Sequence, residues 1–240
     1  MRSEPLSLEV AGISASYGGV PAITDVSLKV ERGTIVTMIG ANGAGKSTVI
    51  KCICGLVKPT AGTVRLFGED VTGLPPDRLV HRGLSVVPEG RRLFSEMTFR
   101  ENLELGAYSR KDHNAVRRDM DRVLALFPEL RDRLSTVAGT FSGGQQQMVA
   151  VARALMSAPR ILLLDEPTIG LGPAIVERIA DLVVEIARSG VDIVIVEQNA
   201  EIALEVADRA YILEAGSVVA EDAADRLAQS EEVQKAYLGI

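Results

Sequence analysis

The sequence predicts an α/β fold with a mainly parallel sheet, an N-terminal antiparallel β subdomain and an inserted α-helical subdomain. Short apolar runs rich in β-branched residues alternate with helical patterns along most of the chain, which is typical of a parallel sheet. Near the N-terminus the strand patterns alternate apolar with polar residues between Gly and Pro turns, which indicates a small antiparallel sheet. Between about residues 98 and 140, helical patterns follow one another without a strand pattern.

The individual elements can be placed in chain order. Antiparallel strands are expected at residues 6–10, 26–30 and 63–67, and parallel strands at residues 35–39, 85–87, 161–164 and 192–196. Thr98 and Glu101 belong to the capping-box pattern Thr-Phe-Arg-Glu, so a helix is expected to begin there. A second helix, rich in Arg and Asp, is expected at residues 114–127. We interpret residues 98–140 as a helical insert in a single domain that spans residues 1–240.

The composition is that of a globular protein with an aliphatic core. Hydrophobic residues make up 47% of the 240 residues and charged residues 24%, while aromatic residues make up 4% and Trp is absent. The net charge of −6 gives no reason to expect nucleic acid as a partner. A protein surface with this net negative charge would not be attracted to an anionic membrane surface either. If the protein works at a membrane, another protein is expected to hold it there.

The cysteines, the histidines and the absence of long apolar runs limit the remaining possibilities. Cys52 and Cys54 lie two residues apart on a predicted helix, so we interpret both as buried core residues without a shared metal or disulfide. His81 and His113 are expected at the surface. No apolar run follows the charges of residues 1–5, and none approaches the ~18 residues that would span a bilayer. The expected compartment is the cytoplasm.

A phosphate-binding pattern follows the strand expected at residues 35–39. It fits G-x-x-x-x-G-K-[ST] and precedes a helix expected to begin at Lys46, which is the context that the pattern requires. Glycines let backbone N–H groups converge on phosphate oxygens, and the helix N-terminus adds partial positive charge. Lys46 is expected to reach the β- and γ-phosphates, and the Ser47 hydroxyl to contact Mg²⁺. The nucleotide-binding set is Gly40, Ala41, Asn42, Gly43, Ala44, Gly45, Lys46, Ser47 and Thr48.

Two adjacent acids follow the apolar strand pattern at residues 161–164. Acids at the C-terminal end of a parallel strand face the ligand crevice of an open sheet. Asp165 is therefore placed to hold the hydration shell of Mg²⁺, and Glu166 to polarise the attacking water.

A second anion-binding pattern precedes these acids along the chain and comprises Ser142, Gly143, Gly144 and Gln145. Ser142 can cap the acid-free helical pattern at residues 146–157, and the two glycines expose backbone N–H groups at the start of that helix. One chain therefore carries two binding patterns for phosphate groups.

Together these residues resemble the ATP-binding-cassette (ABC) family. The phosphate loop, the pattern at residues 142–145 and the sequence Asp165-Glu166-Pro167 occur in that family's order and at about its spacing. The resemblance implies that residues 142–145 of one subunit close over the ATP held by the phosphate loop of another. It also implies that Tyr17 stacks on the adenine.

The resemblance narrows to the second ATPase subunit of bacterial branched-chain amino-acid importers. Residues 86–94, 196–199 and 235–239 carry it, and it extends from about Leu6 to the C-terminus. It implies ATP hydrolysis that drives uptake through a membrane permease, at the inner face of the cell membrane. The implied partners are permease subunits, a related second ATPase or a second copy, and, indirectly, an external solute-binding protein. The ATPases of urea and short-amide importers are the nearest alternative.

Three positions depart from the general family pattern. Glu89 stands in place of a Gln, Gln198 in place of a His, and Gly172 in place of an Asp. Glu89 can ligate Mg²⁺, and Gln198 can donate a hydrogen bond to the γ-phosphate without carrying a proton. Lys46, Gln198 and Glu166 are the expected catalytic residues, with Glu166 as the base. The departures bear on communication between the two ATP sites.

Two further classes remain as alternatives. A soluble ABC-type switch usually carries two cassettes, long coiled coils or basic linkers, and this sequence has no such feature. A P-loop kinase or GTPase would lack the pattern at residues 142–145. A stable complex with a polytopic membrane protein would separate the transport ATPase from both.

Overall fold

The structure is a computed structural model that describes residues 6–238. Residues 1–5 and Gly239, which entered the signal-peptide expectation and the branch resemblance, lie outside the described residues. The strands are β1 (Leu6–Tyr17), β2 (Val20–Glu31), β3 (Ile35–Ile39), β4 (Ala61–Leu66), β5 (Glu69–Asp70), β6 (Leu84–Val87), β7 (Ile161–Asp165), β8 (Asp192–Glu197), β9 (Arg209–Glu214) and β10 (Ser217–Ala223). The helices are α1 (Lys46–Ile53), α2 (Pro76–Val80), α3 (Phe99–Gly106), α4 (His113–Leu126), α5 (Gly143–Leu155), α6 (Pro173–Arg188), α7 (Ala200–Val206), α8 (Ala224–Ala228) and α9 (Glu231–Val233).

The strands form two sheets. One has four strands in the antiparallel order β2-β1-β4-β5, and the other has six strands in the order β10-β9-β3-β8-β7-β6. In the larger sheet every pair is parallel except β10 with β9. The predicted fold class is therefore confirmed. The structure adds β5, β9 and β10, and it lengthens the first two expected strands to 12 residues each.

The central strands β3, β7 and β8 are buried along their whole length, because apolar residues cover both faces of the sheet there. Along β7, Ile161 and Leu163 pack in one hydrophobic cluster with β1, β2 and α1, whereas Leu162 and Leu164 pack in another with α5 and α6. β8 alternates in the same way. The C-terminal ends of β3, β7 and β8 consequently reach one edge of the sheet, where ligands bind in open α/β sheets.

The stretch between β6 and β7 is helical, as the sequence predicts. Thr98 caps α3, since its hydroxyl accepts a hydrogen bond from the Glu101 backbone N–H while the Glu101 carboxylate accepts one from the Thr98 N–H at 2.7 Å. Short 3₁₀ turns at Pro128–Arg133 and Ala138–Thr140 connect α4 to α5. α5 packs on α3 and on the sheet. Arg178 of α6 also donates a hydrogen bond to the carbonyl oxygen of Leu126 at 2.7 Å, so both α5 and α6 join this region to the α/β core.

The remaining expectations concern single residues. Cys52 and Cys54 are buried free thiols, and burial raises the pKa of Cys52 to about 11 and that of Cys54 to about 12. His81 and His113 are exposed. Within residues 6–238 no helix is both long enough and apolar enough to cross a membrane.

Candidate functional site

The phosphate loop lies between β3 and α1 and is shaped by close backbone packing. Gly45 has a φ of +107°, and a Cβ atom on it would lie 2.7 Å from Cγ2 of Ile23 in β2. A Cβ on Gly40 would lie 2.4 Å from the carbonyl oxygen of Leu213 in β9. Only glycine fits both positions, because both neighbours belong to sheet strands that cannot move aside. The glycines of the pattern therefore let the two sheets close on the loop.

Lys46 is the first residue of α1, and its side chain is almost fully buried. Its Nζ donates hydrogen bonds to the carbonyl oxygens of Gly40 at 2.8 Å and Ala41 at 3.2 Å. The same Nζ lies 3.2 Å from Oε1 of Glu166, which is also buried. The predicted phosphate ligand and the predicted base are therefore in direct contact.

A cleft of about 550 Å³ opens over this loop. Eight of the predicted site residues line it, namely Asn42, Gly43, Gly45, Lys46, Ser47, Thr48, Glu89 and Glu166. The other walls come from Pro21 and Ala22 of β2, from Ile169, and from the turn of Ala215 and Gly216. Sequence reasoning missed these wall residues, because they carry no motif and are brought to the loop by the sheets.

Backbone hydrogen bonds hold that turn against the loop. The Gly216 N–H donates to the carbonyl oxygen of Ala44 at 2.9 Å, and the Thr24 N–H donates to that of Gly216 at 2.8 Å. The Ala44 N–H in turn donates to the carbonyl of Ala41 at 3.1 Å. Gly40, Ala41 and Ala44 thus support the loop through main-chain groups.

Asp165 and Glu166 stand at the C-terminal end of β7, as predicted. The Glu166 N–H donates to the carbonyl oxygen of Val196 at 2.8 Å, and this bond holds Glu166 at a φ of +48°, which is rare outside glycine. Asp165 is buried, and its Oδ1 has no hydrogen-bond partner among the described residues. Burial, reinforced by the nearby charges of Glu166 and Glu89, raises the pKa of Asp165 to about 6.

The oxygens at this end of the cleft fit Mg²⁺. Within residues 6–238 no group of three or more His, Cys, Asp or Glu side chains converges as a metal cage. Mg²⁺, however, is commonly bound by one or two protein oxygens together with substrate phosphates and water. The hydroxyl of Ser47, which lines the cleft, is an oxygen of that kind. The unpartnered Oδ1 of Asp165 is another; Asp165 does not itself line the cleft but directly precedes Glu166, which does.

Gln198 lies outside this cleft and lines an adjoining cavity of about 350 Å³. Glu166 and Ile169 line both spaces, so Gln198 is a near neighbour of the site. The same cavity is lined by Glu197 and Thr168, two residues that sequence reasoning missed. The sequence signal that could have indicated Glu197 is an acid at the end of an apolar strand pattern, directly before Gln198.

The second glycine turn is built as predicted but stands away from the cleft. Ser142 caps α5, since its hydroxyl accepts a bond from the Gln145 N–H at 3.4 Å, while Gln145 Oε1 accepts one from the Ser142 N–H at 3.2 Å. The Arg91 guanidinium packs against Gly143, and Ile175 of α6 packs against Gly144. None of the four predicted residues, Ser142, Gly143, Gly144 and Gln145, lines the cleft of its own chain.

Tyr17 ends β1 and is 46% exposed. It does not line the cleft, although Pro21 and Ala22 of the same hairpin do. Stacking of Tyr17 on adenine therefore remains a prediction.

This chain is similar to known proteins along nearly its whole length. The family model described as ABC transporter matches residues 23–169. The chain is 48% identical over 228 residues to the high-affinity branched-chain amino acid transport ATP-binding protein BraG of Pseudomonas aeruginosa, covering 95% of this chain and 97% of that protein. It is 33% identical to BraF of the same organism, which carries the same description, over 99% of both chains. A solved dimer of an ATP-binding cassette bound to ADP and Pi superimposes with a TM-score of 0.79 at 28% identity, covering 90% of this chain and 98% of that one.

Proposed function

Because this chain belongs to the ABC transporter family, we propose that it is the ATP-hydrolysing subunit of a branched-chain amino-acid importer. The cleft in which Lys46, Ser47 and Glu166 meet at the start of α1 carries the proposal. The solute class is supported by the likeness to BraG, which extends over nearly the whole chain. The solute itself is recognised elsewhere, by the permease and by an external solute-binding protein.

The first step is nucleotide binding by the phosphate loop. Backbone N–H groups of the loop and the N-terminus of α1 attract phosphate oxygens. Lys46 contacts Glu166 in the described arrangement, and a triphosphate that enters the cleft competes for the same ammonium group. Transfer of Lys46 to the phosphates leaves the Glu166 carboxylate available for water.

Hydrolysis then depends on a proton acceptor and on charge stabilisation. Glu166 accepts the proton of the attacking water, while Lys46 and the amide of Gln198 stabilise charge on the phosphate oxygens. Ser47 and Asp165 would hold Mg²⁺, with Glu89 at the cleft as a further oxygen. Mg²⁺ held there would supply positive charge that neutralises the phosphate oxygens.

The position of the Ser142–Gln145 turn supports a dimer. This turn is a helix N-terminus without acidic residues, and it does not line its own chain's cleft. A second subunit can supply it to the nucleotide, so that two chains enclose two ATP molecules. Since BraG and BraF are distinct proteins of one organism, we assign a related ATPase as the partner, with a second copy as the alternative.

We assign the permease to a groove between β6 and the helical insert. This groove has a volume of about 600 Å³. Its lining includes Phe94, which is 53% exposed, and Tyr108, which is 88% exposed, beside Val86 and Leu105. An apolar groove with exposed aromatic side chains is typical of a protein-binding site. Docking there would place the chain on the inner face of the cell membrane.

The experiment that tests this proposal measures both complex formation and uptake. The tagged chain, purified from membranes of its host, is expected to bring down a polytopic permease. Lys46→Ala is expected to abolish uptake of labelled leucine, isoleucine and valine, whereas Lys58→Ala, a change at an exposed lysine away from the cleft, leaves uptake intact. Loss of urea or short-amide uptake instead would assign the alternative solute class, and the absence of any membrane partner would assign a soluble switch.

A further inference from the structure

Glu197, the last residue of β8, is a buried acid that joins two loops. Its side chain is 3% exposed and accepts four hydrogen bonds. Oε1 accepts from the N–H of Thr168 at 2.9 Å and from the hydroxyl of Thr168 at 2.7 Å. Oε2 accepts from the N–H groups of Gln198 at 3.1 Å and Asn199 at 3.4 Å. Each oxygen therefore serves a different loop.

The first of these loops carries the base. It runs from Glu166, at the end of β7, through Thr168 to Gly172, where α6 is capped. The Glu166 N–H donates to the carbonyl oxygen of Val196, the residue that precedes Glu197 in β8. One backbone bond from Glu166 and two bonds from Thr168 to the Glu197 carboxylate thus hold this loop at the end of β8.

The second loop carries Gln198, whose amide donates a hydrogen bond to the γ-phosphate in the proposed function. Gln198 and Asn199 connect β8 to α7, and the Asn199 side chain caps α7 by accepting from the Ile202 N–H at 3.4 Å. Gln198 and Glu166 line the same small cavity. Glu197 is the side chain by which Thr168 of the first loop contacts the backbone of the second.

The chemistry requires an acid at this position. All the groups that face the carboxylate are donors, and a carboxylate has acceptor sites on both oxygens. An amide in its place would turn an NH₂ group toward one pair of donors and leave that loop unpartnered. Because Glu197 and Thr168 are both buried, a hydrogen bond lost between them is not replaced by bulk water.

We propose that Glu197 is a positioning residue that sets the Gln198 amide relative to Glu166 by tying it to the loop of residues 168–172. The inference rests on the proposed ATPase function and deepens it. That loop leads into α6, and α6 packs against α5 through Ile175 and Gly144. A displacement of the loop would move Gln198 with it. The link from Thr168 through Glu197 to Gln198 lies within one chain. It does not involve position 172, where this chain has glycine.

The test compares Thr168→Val with Thr168→Ser in the full-length chain. Valine keeps the shape and the backbone N–H but removes the hydroxyl donor, whereas serine keeps the donor. We expect Thr168→Val to lower kcat ~10-fold, the effect of losing one hydrogen bond to a charged group, with nucleotide affinity unchanged. Thr168→Ser should stay within ~2-fold of the wild-type kcat. A wild-type kcat in Thr168→Val would overturn the proposal.

A double-mutant cycle separates positioning from general loosening. If Thr168 acts through Glu197 on Gln198, then Thr168→Val should lower kcat by less than ~2-fold in a Gln198→Ala background. A full ~10-fold loss there, as independent sites would give, would overturn the proposal. Glu197→Gln should behave as Thr168→Val does in the same cycle, with a larger loss. A wild-type chain without ATPase activity would contradict the proposed function itself, whereas an active wild type with multiplicative losses would contradict this inference alone.

Discussion

Lys46 and Glu166 form a buried ion pair, with 3.2 Å between Nζ and Oε1. The pair joins the first turn of α1 to the end of β7, and the same Nζ is bonded to the carbonyls of Gly40 and Ala41. The group that attracts phosphate and the group that activates water therefore neutralise each other until nucleotide enters. Substitutions at the two positions should therefore have opposite effects on nucleotide binding, although both should lower turnover.

Glu166→Gln should retain ATP binding and lose turnover. The amide cannot accept the proton, so we expect kcat to fall ~10³-fold or more, while Lys46 becomes freer to bind phosphate. Equilibrium titration and steady-state hydrolysis measure the two effects, and size-exclusion chromatography with ATP should show a persistent dimer. Glu177→Gln, at an exposed position of α6, is the control. A rate near wild type would mean that Glu89 or another group is the base.

Lys46→Ala should weaken nucleotide binding itself. The change removes a buried positive charge from the phosphate loop, so the dissociation constant for a fluorescent ATP analogue should rise at least ~10-fold. Lys58→Ala should leave that constant unchanged. Wild-type affinity in Lys46→Ala would contradict the role of Lys46 on the phosphates.

Ser142→Arg should spare nucleotide binding by the isolated subunit and block dimer closure. Ser142 lies outside the cleft, so the titration should match wild type while ATP-dependent dimerisation is lost. A mixture of Ser142→Arg and Lys46→Ala chains should regain function at one of its two sites, because one composite site receives both intact elements. Ser189→Arg, which adds the same charge at the exposed end of α6, should dimerise normally. Weak binding by Ser142→Arg alone would contradict the composite site.

Gln198 makes turnover insensitive to pH near neutrality. Its amide has no proton to lose. Burial raises the pKa of Asp165 to about 6, but Mg²⁺ at that carboxyl would favour the ionised form. We therefore expect log kcat at saturating Mg-ATP to be nearly flat from about pH 6.5 to about pH 8. Gln198→His should make both log kcat and the affinity for ATP depend on pH. The imidazolium form is attracted to the γ-phosphate, which favours that form and raises its pKa above the unperturbed value of ~6.5. The gain in ATP affinity should therefore be present below pH ~6.5 and be lost as pH rises to about 8. A steep wild-type dependence near pH 6.5 that survives in Gln198→Ala would show another titrating group.

Gly45→Ala and Gly43→Ala should differ although both glycines belong to the phosphate loop. Both have positive φ, but a Cβ on Gly43 meets nothing within 4 Å, whereas one on Gly45 lies 2.7 Å from Cγ2 of Ile23 and 2.9 Å from the carbonyl oxygen of Ala22. We expect Gly43→Ala to lower the free energy of unfolding by about 1 kcal/mol. Gly45→Ala should lower it by about 2 kcal/mol or more and weaken nucleotide binding. Equal losses of stability in denaturant unfolding would show that the hairpin does not restrain the loop.

Much of the fold and of the site could be predicted from the sequence because the signals are contiguous. The strands at residues 35–39, 161–164 and 192–196 are short apolar runs, and the capping residues Thr98 and Ser142 lie within three residues of their partners. β9 and β10 were missed. β10 is largely half-buried, so its residues alternate weakly, and β9 has only four buried residues between two exposed ends.

The sequence by itself determined the phosphate loop, the two acids after β7 and the second glycine turn, because each is a local pattern whose chemistry resides in adjacent residues. Only the tertiary structure decided what surrounds them. Parallel pairing of β7 with β8 brings Thr168 to Glu197, and the contact of β2 with the turn after β9 places Gly216 on Ala44. Such contacts depend on strand register across long stretches of chain, and no spacing within a single segment encodes them.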